Sequence, residues 1–304
     1  MPELPEVETL KRGLQKNVIG KMIAKVEVRL PKIVAFGPET VSNVRKLSKE
    51  NLKSFEKILT GQKIINIERR AKILIFKLSG PWSVLIHLKL TGQLIFAKKG
   101  EKKEIKIYNA LDAPRAVLPH KYTHIIFEFT DKSRLFFNDL RQFGYLKLVR
   151  DKDLAEVKEL KEFGPEPLAA EFKFADFLAK AKHRPGLKVK QFLVDPKVVA
   201  GIGNIYSDEI LFWAKIRPNR ALRSLALSDW KAIYQNIPRV LEKAIKAHGS
   251  SVGDFLKLDG SEGNFGQEHM VYQRYDEPCK KCGSKIEKLK IGGRTSCYCP
   301  KCQK

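Results

Sequence analysis

Two pairs of cysteines near the end of the chain constrain its fold more than any other feature. Cys279 and Cys282 are separated by two residues, as are Cys299 and Cys302, and sixteen residues lie between the pairs. This spacing is typical of a tetrahedral zinc site whose two cysteine knuckles face each other across a hairpin. Four thiolates leave no open position on the metal, so we predict one structural zinc ion. The remaining cysteine, Cys297, is interpreted as a packed thiol on a strand.

The cysteines also bear on the compartment. All five lie between Cys279 and Cys302, and such crowding indicates a metal site in a reducing environment, where disulfides are rare. The opening residues, Met1–Glu8, are acidic and lack the basic and apolar regions of a signal peptide. We therefore expect a cytoplasmic protein.

The charge balance indicates a polyanionic partner. The 304 residues include 58 Lys and Arg against 34 Asp and Glu, which gives a net charge of +24 and a pI near 9.8. No apolar run reaches the length of a membrane span, and no single basic amphipathic helix carries the charge, so a membrane surface is disfavoured. Nucleic acid is the favoured partner, while a ribosome-associated protein and simple solubility stay open, and charge alone does not indicate an enzyme.

The patterning predicts an α+β multidomain protein. Val7, Leu10, Leu14 and Val18 recur at helical spacing before Gly20, which predicts a helix over 5–18. The chain then turns to apolar strands without regularly alternating helices, which favours a β-sandwich with a few flanking helices over a parallel sheet. The strands are predicted at 63–69, 72–78, 83–90, 122–129 and 134–137. The domains are predicted as a sandwich over 1–150, a linker over 151–167, a helical domain over 168–268 and a zinc ribbon over 269–304.

Two helical features stand out in the second half. Ser228 is a plausible N-cap for a helix over 229–247, which Pro238 should kink or split. Earlier, two apolar helical pieces flank Gly201-Ile202-Gly203-Asn204, as in a helix, a two-turn connection and a second helix. Glycines at a helix start allow close approach to a phosphate, although an ordinary helix turn has the same pattern.

Three motifs together resemble the formamidopyrimidine-DNA glycosylase family. They are PELPEVET at 2–9, GIGNIYSDE at 201–209 and GGRTSCYCPKC at 292–302. The resemblance runs over nearly the whole chain and implies an N-terminal β-sandwich, a helix–two-turn–helix domain and a C-terminal zinc finger. It also implies a bifunctional enzyme of base excision repair that excises oxidised purines, chiefly 8-oxoguanine and formamidopyrimidines, and then cuts the strand by β,δ-elimination.

The resemblance assigns catalytic roles to four residues. Loss of Met1 is implied, which leaves Pro2 with a free secondary amine that attacks the sugar C1′ atom and forms an iminium. An α-amino group has a pKa near 8, so a useful fraction is neutral near pH 7. Glu3 is implied as general acid and base at the sugar. Lys72 and Arg294 match residues that bind phosphate, and each would otherwise be a solvated charge.

A second group of residues is implied to contact DNA. Three side chains would fill the gap left by the everted base, and here they are Leu90, Arg141 and Phe143. The further members of the group are Glu6, which supports the site from the first helix, and His87, Asn204 and Tyr206. The segment 253–268 would cover the everted base. Strand-core packing is the alternative for Leu90 and Phe143.

Three positions depart from the family pattern. Leu90 replaces the usual methionine, Gln142 replaces a second arginine, and Lys89 stands where glycine is frequent. Two other functions stay open: an endonuclease VIII-like enzyme for oxidised pyrimidines, and a non-catalytic DNA-binding protein with a zinc ribbon. We expect a nucleoid-associated monomer whose partner is damaged double-stranded DNA.

Overall fold

The computed structural model of the chain describes residues 1–39, 49–107 and 115–304. These residues form two compact units. The N-terminal unit comprises Met1–Lys161 and His248–Asn264, and the C-terminal unit comprises Glu162–Ala247 and Phe265–Lys304. The predicted domain over 168–268 is thus divided between the units, because residues 248–264 make their contacts with the sandwich.

The N-terminal unit contains three α-helices and eleven strands in its described part. The helices are α1 (Leu4–Val18), α2 (Lys49–Leu59) and α3 (Lys158–Lys161). The strands are β1 (Ile23–Val28), β2 (Val34–Phe36), β3 (Ile64–Arg70), β4 (Ile73–Leu78), β5 (Trp82–His87), β6 (Gly92–Ala97), β7 (Glu104–Lys106), β8 (Arg115–Val117), β9 (Thr123–Phe129), β10 (Arg134–Asp139) and β11 (Tyr145–Arg150).

Two sheets build the predicted β-sandwich. One has the antiparallel order β1-β9-β10-β6, and the other has the order β2-β11-β5-β4-β3, in which β2 runs parallel to β11. Apolar side chains from both sheets meet in one core, as Phe127 and Leu135 from the first sheet and Ile67 and Ile86 from the second show. Burial of each such side chain stabilises the fold by about 2 kcal/mol.

Helix α1 adds its apolar stripe to the same core. Its buried side chains recur every three or four residues, and they are Leu4, Val7, Leu10, Leu14 and Val18. Pro5 lies in the first turn, where its missing N–H costs no helical hydrogen bond. Gly20 follows with φ +83°, a conformation that favours glycine and ends the helix.

The predicted linker has structure of its own. A 3₁₀ helix spans Asp151–Glu156, and α3 follows it. The buried Lys147 ammonium on β11 donates to both Glu159 carboxylate oxygens, at 3.0 Å each, and fastens this segment to the sheet.

The C-terminal unit contains helices and one short hairpin. They are α4 (Phe174–Lys182), α5 (Val189–Val194), α6 (Asn204–Trp213), α7 (Leu227–Lys246), β12 (Glu287–Ile291) and β13 (Arg294–Tyr298). The α5–α6 pair brackets Gly201–Gly203 as the sequence predicted. None of the helices in the described residues is long and apolar enough to cross a membrane.

Helix α7 begins at a different residue from the one predicted, and of the two effects predicted for Pro238 the split is not observed. Its N-cap is Ala226 and not Ser228, because the Asp229 carboxylate accepts the Ala226 N–H at 3.1 Å and closes the first turn. The helix also continues through Pro238 without splitting. Buried side chains on both sides of the proline, such as Ile233 and Leu241, hold the two halves in one core.

Candidate active site

The start of the chain is buried up to its second residue. Met1 is 43% exposed, whereas Pro2 is buried and Glu3 is only 2% exposed. Leu4 lies fully in the core directly after them and fixes the backbone where α1 begins. A carboxyl group and the second residue of the chain are therefore held together in a site that water reaches poorly.

Glu6 connects this segment to a distant part of the chain. Its Oε2 atom accepts the Glu3 N–H at 2.8 Å, and its Oε1 atom accepts the Ser250 N–H at 2.8 Å. Gly249 next to it has φ +79°, and a Cβ there would lie 2.9 Å from Glu6 Oε1. Because only glycine fits this approach, the Glu6 carboxylate and residues 249–250 form one rigid support beneath Glu3.

The segment after Ser250 is closed at its base and packed on the sandwich. Ser250 pairs with Asn264, and the Ser251 hydroxyl oxygen accepts the Gly263 N–H at 2.8 Å. Phe255 and Leu258 insert into the sandwich core. Residues 253–264 of the predicted base cover are thus anchored beside the N-terminal support, whereas Phe265–Glu268 forms a 3₁₀ helix of the C-terminal unit.

Lys72 lies on the turn between β3 and β4, which hydrogen bonds from Arg69 stabilise. Ala71 has φ +54° in this turn. The Arg69 guanidinium donates to the Ala71 carbonyl at 3.0 Å and to the Glu8 carboxylate at 2.9 Å. Since Glu8 belongs to α1, the turn that presents the half-buried Lys72 is fixed to the helix that presents Glu6.

His87 ends β5 as a neutral hydrogen-bond donor. Its Nδ1 atom accepts the Lys89 N–H at 3.0 Å, so the ring proton is on Nε2. Burial lowers the His87 pKa well below 6.5, and the charges of Lys89 and Lys72 lower it further. The structure therefore brings Lys72 and His87 into one positively charged neighbourhood.

The three predicted gap-filling residues lie on two turns joined by one carboxylate. Asp139 is fully buried and accepts the Thr91 hydroxyl proton, the Arg141 N–H at 3.2 Å and the Gly144 N–H at 2.7 Å. Thr91 follows Leu90 on the first turn, and Arg141 belongs to the second. One buried group therefore sets the spacing of both turns.

Phe143 projects from the second turn. It is 52% exposed, and the Arg141 guanidinium lies 5.0 Å from its ring centroid. Leu90 is half-buried. The exposure of Phe143 is incompatible with strand-core packing, and an exposed aromatic ring on a fixed turn has the chemistry of a wedge between bases.

In the C-terminal unit, Asn204 and Arg294 are joined through one contact. The Asn204 amide donates to the Thr295 carbonyl at 3.1 Å. Arg294 is exposed directly before Thr295, after a turn in which Gly292 and Gly293 have φ +55° and +75°. The start of α6 and the hairpin tip therefore form one surface.

A buried ion pair supports that surface, and the sequence reasoning missed it. The Lys190 ammonium pairs with the Asp208 carboxylate and donates to the Asn204 carbonyl at 3.2 Å. Asp208 in turn accepts the Cys297 N–H at 3.1 Å. The available signal was the acidic pair Asp208-Glu209 inside an otherwise apolar helix.

The side chain of Tyr206 lies inside the C-terminal unit. It is fully buried in the core of the C-terminal unit, with its ring 5.7 Å from that of Phe265. The ring of Tyr206 therefore packs the helices, and a DNA contact of this residue stays a prediction.

The four paired cysteines form one cluster. The sulfur atoms of Cys279, Cys282, Cys299 and Cys302 lie within 4.8 Å of one another. Tetrahedral Zn–S bonds of ~2.3 Å require sulfur separations of about 3.8 Å. The Sγ atoms of Cys282 and Cys299 are 3.4 Å apart and those of Cys279 and Cys302 are 4.0 Å apart, on either side of this value. Cys297 lies outside the cluster as a buried thiol, as predicted.

Comparisons with known proteins agree over the full length. Residues 1–146 match the family model of the formamidopyrimidine-DNA glycosylase N-terminal domain. Residues 163–255 match the model of the H2TH domain of that glycosylase, and residues 276–304 match the model of a zinc finger found in FPG and IleRS. The zinc-finger match and the cysteine cluster together show one structural zinc ion. The formamidopyrimidine-DNA glycosylase of Pelotomaculum thermopropionicum is 37% identical over 100% of this chain and 99% of its own. That of Heliobacterium modesticaldum is 38% identical over 100% of both.

Solved structures give the same result. A Lactococcus lactis FPG mutant bound to Fapy-dG DNA has a TM-score of 0.82 and 33% identity over 100% of both chains. The Lactococcus lactis Fpg complex with abasic DNA has a TM-score of 0.82 and 33% identity over 99% of both. A complex of the same protein with oxidised-pyrimidine DNA has a TM-score of 0.81, 33% identity and 100% coverage of both.

Proposed function

This chain belongs to the formamidopyrimidine-DNA glycosylase family and is a DNA glycosylase of base excision repair, and we propose that it removes oxidised purines and then cuts the strand through the amine of Pro2. The observation that carries the proposal is the Glu3–Glu6–Ser250 arrangement. It holds two buried carboxyl groups next to Pro2, whose nitrogen becomes a secondary amine once Met1 is removed. This combination suits the attack of an amine on a sugar and the proton transfers that follow.

The chemistry begins with removal of Met1, whose exposure suits processing. The lone pair of the Pro2 nitrogen attacks C1′, the glycosidic bond breaks, and the base leaves. The Pro2 nitrogen then loses its proton and its lone pair expels O4′, which takes up a proton, so the C1′–O4′ bond breaks and the sugar ring opens. The resulting iminium joins Pro2 to C1′ and acidifies the C2′ proton. Loss of that proton breaks the C3′–O bond, and a second elimination breaks the C5′–O bond. Glu3 is the general acid and base that moves protons at the sugar.

Other groups hold the substrate. Lys72, His87, Asn204 and Arg294 bind phosphates, which position the duplex without reading its sequence. Leu90, Arg141 and Phe143 occupy the gap that the everted base leaves, at a cost of a few kcal/mol for unstacking. The anchored segment 253–264 covers the everted base. The enzyme acts on DNA at the nucleoid, in the cytoplasm.

Borohydride trapping tests the proposal. Borohydride reduces an iminium, so incubation with an 8-oxoguanine duplex should give a stable cross-link that mass spectrometry maps to residue 2 of a chain lacking Met1. Residues added before Pro2 should abolish trapping and spare DNA binding, because the amine becomes an amide. Glu3→Gln should abolish base excision and spare cleavage at preformed abasic sites. A cross-link on a lysine would refute the role of Pro2, and no cross-link would indicate a non-catalytic DNA-binding protein.

Oxidised pyrimidines are a second candidate substrate class. Lactococcus lactis Fpg, which this chain resembles, has been solved with oxidised-pyrimidine DNA. A parallel assay on a thymine glycol duplex decides between the classes. Faster release of 8-oxoguanine supports the proposal, and faster release of thymine glycol would assign an endonuclease VIII-like preference.

A further inference from the structure

Lys89 occupies a backbone conformation that disfavours its own side chain. It lies in the turn between β5 and β6 with φ +52°. This left-handed region favours glycine and strains residues that carry a Cβ. Such a conformation persists where the surroundings enforce it, and these positions are often functional sites.

The Lys89 ammonium is partly desolvated by the residues packed around it. It lies 5.5 Å from the ring centroid of Tyr145 and is half-buried. Among the residues that the structure describes, no carboxylate lies within ion-pair distance of it. The Glu159 carboxylate is the acidic group whose charge acts on Lys89, and both of its oxygens accept hydrogen bonds from Lys147. Burial consequently lowers the Lys89 pKa.

Two further donors lie in the same neighbourhood. Ile73, the residue after Lys72, pairs with His87 across β4 and β5 and brings Lys72 beside His87 in the sheet. The charges of Lys72 and Lys89 both lower the His87 pKa. The Lys89 N–H fixes the His87 ring with its proton on Nε2. The neighbourhood therefore presents two ammonium groups and one neutral N–H donor, a set that an oxyanion satisfies.

We infer that Lys89 is a phosphate-binding residue that completes, with Lys72 and His87, a three-donor site for the DNA backbone. Its backbone N–H orients His87, and its side chain adds the second cation. The inference rests on the proposed function, because the ligand is the phosphate of the bound duplex. It adds to that function a contact provided by the β5–β6 turn.

The chain offers a matched control in Lys132. This lysine also has a left-handed backbone, with φ +66°, in the turn between β9 and β10. It is exposed and paired with Glu128 at 3.4 Å. Lys89→Gln and Lys132→Gln remove one charge each, whereas Lys89→Gly and Lys132→Gly also remove the backbone strain. All four variants keep the backbone N–H.

The measurement is the dissociation constant of a duplex with a tetrahydrofuran abasic analogue between 50 and 200 mM salt. Each neutralised phosphate contributes about 0.9 to the slope of log K against log salt. In Lys89→Gln and Lys89→Gly the magnitude of this slope should be smaller by about 0.9. The ratio of each variant's dissociation constant to that of the parent protein should therefore fall about 3.5-fold between 50 and 200 mM salt. The Lys132 variants should keep the parent slope.

Each outcome is decisive. Unchanged slopes in both Lys89 variants, with tight binding by the parent protein, would overturn the inference and leave the proposed function intact. Equal losses at Lys89 and Lys132 would show a general charge effect and would also overturn it. Failure of the parent protein to bind this duplex would instead contradict the proposed function. Thermal unfolding of all four variants confirms that each is folded.

Discussion

Glu6 is the residue on which the N-terminal site most depends, because its two oxygens hold two backbone segments that lie far apart in sequence. One accepts the Glu3 N–H and the other accepts the Ser250 N–H. Loss of either bond would remove a hydrogen bond from a buried carboxylate, which costs about 1.5–3 kcal/mol. The position of Glu3 is therefore sensitive to the backbone around residue 249.

Gly249→Ala tests this support. A Cβ at Gly249 would lie 2.9 Å from Glu6 Oε1 and 3.0 Å from its Cγ, at a φ of +79°. We expect the free energy of unfolding to fall by about 2 kcal/mol from strain and displaced contacts. Borohydride trapping should slow by about tenfold, which corresponds to 1.4 kcal/mol at the transition state.

Gly100→Ala is the control for backbone strain alone. Gly100 has a similar φ of +74°, and a Cβ there would meet nothing within 4 Å. This variant should lose about 1 kcal/mol of stability and keep the parent trapping rate. Similar trapping rates in the two variants, at matched folded fractions, would show that Gly249 does not act through Glu6.

Sequence reasoning found single residues but not their distant partners. The family motif identified Glu3 and Glu6, yet Ser250 lies 244 positions from Glu6, and no local pattern records such a pairing. Lys190 was missed for a similar reason: a lysine on a short helix is usually solvated, and only the fold shows that it is buried against Asp208.

At the scale of elements, the turn Asp139–Gly144 determines how the predicted wedge is presented. Asp139 fixes the turn from inside, so Phe143 extends outward from a rigid base. Truncation of a residue that is 52% exposed should change the free energy of unfolding by less than about 1 kcal/mol. A functional loss in such a variant is therefore separable from misfolding.

Phe143→Ala should lower excision of 8-oxoguanine from a duplex far more than cleavage at a base-free site. Only the first reaction requires eversion of a stacked base, and the lost wedge is worth on the order of 1–3 kcal/mol, or about 5- to 160-fold in rate. Single-turnover rates on the two substrates measure this difference. Ile65→Ala, which truncates a side chain 54% exposed on β3, should leave both rates unchanged. Equal losses on both substrates would show that Phe143 does not assist eversion of the base.

Element boundaries followed the apolar pattern except where a turn interrupts it. The predicted helix over 5–18 is observed as Leu4–Val18, and the strand predicted over 122–129 is observed as Thr123–Phe129. The strand predicted over 83–90 instead ends at His87. Leu88 and Leu90 continue the apolar pattern, but the left-handed backbone at Lys89 ends the strand, and composition carries no signal for that conformation.

At the scale of the whole molecule, chain order and spatial order differ. The three-part order of sandwich, helices and ribbon was predictable from periodicity and cysteine spacing. The return of residues 248–264 to the N-terminal unit was not, because Phe255 and Leu258 are apolar residues that either core could accept. The ribbon also shares a unit with the helices, through the buried bonds of Asp208 to β13.

This arrangement determines what loss of zinc should do. The sandwich has its own core, whereas the ribbon has few buried apolar side chains besides its cysteines, and small domains of this kind depend on their metal for folding. Cys279→Ala and Cys299→Ala should each abolish zinc binding and loosen the hairpin that presents Arg294. Cys297→Ala is the matched control, because Cys297 is buried on the same hairpin but lies outside the cluster of four sulfur atoms.

Three measurements on these variants decide the prediction. Metal analysis should find one zinc ion per chain in the parent protein and Cys297→Ala, and none in the two ligand variants. In the two ligand variants, the backbone amides of β12 and β13 should lose their protection from hydrogen exchange. Those of β9 and β10, which lie in the other unit, should keep it. Binding of an abasic-analogue duplex should weaken in the ligand variants, because the Arg294 hairpin loses its order. Full zinc content and parent-like binding in both ligand variants would contradict the assignment, and loss of zinc in Cys297→Ala would mean that this thiol also serves the metal.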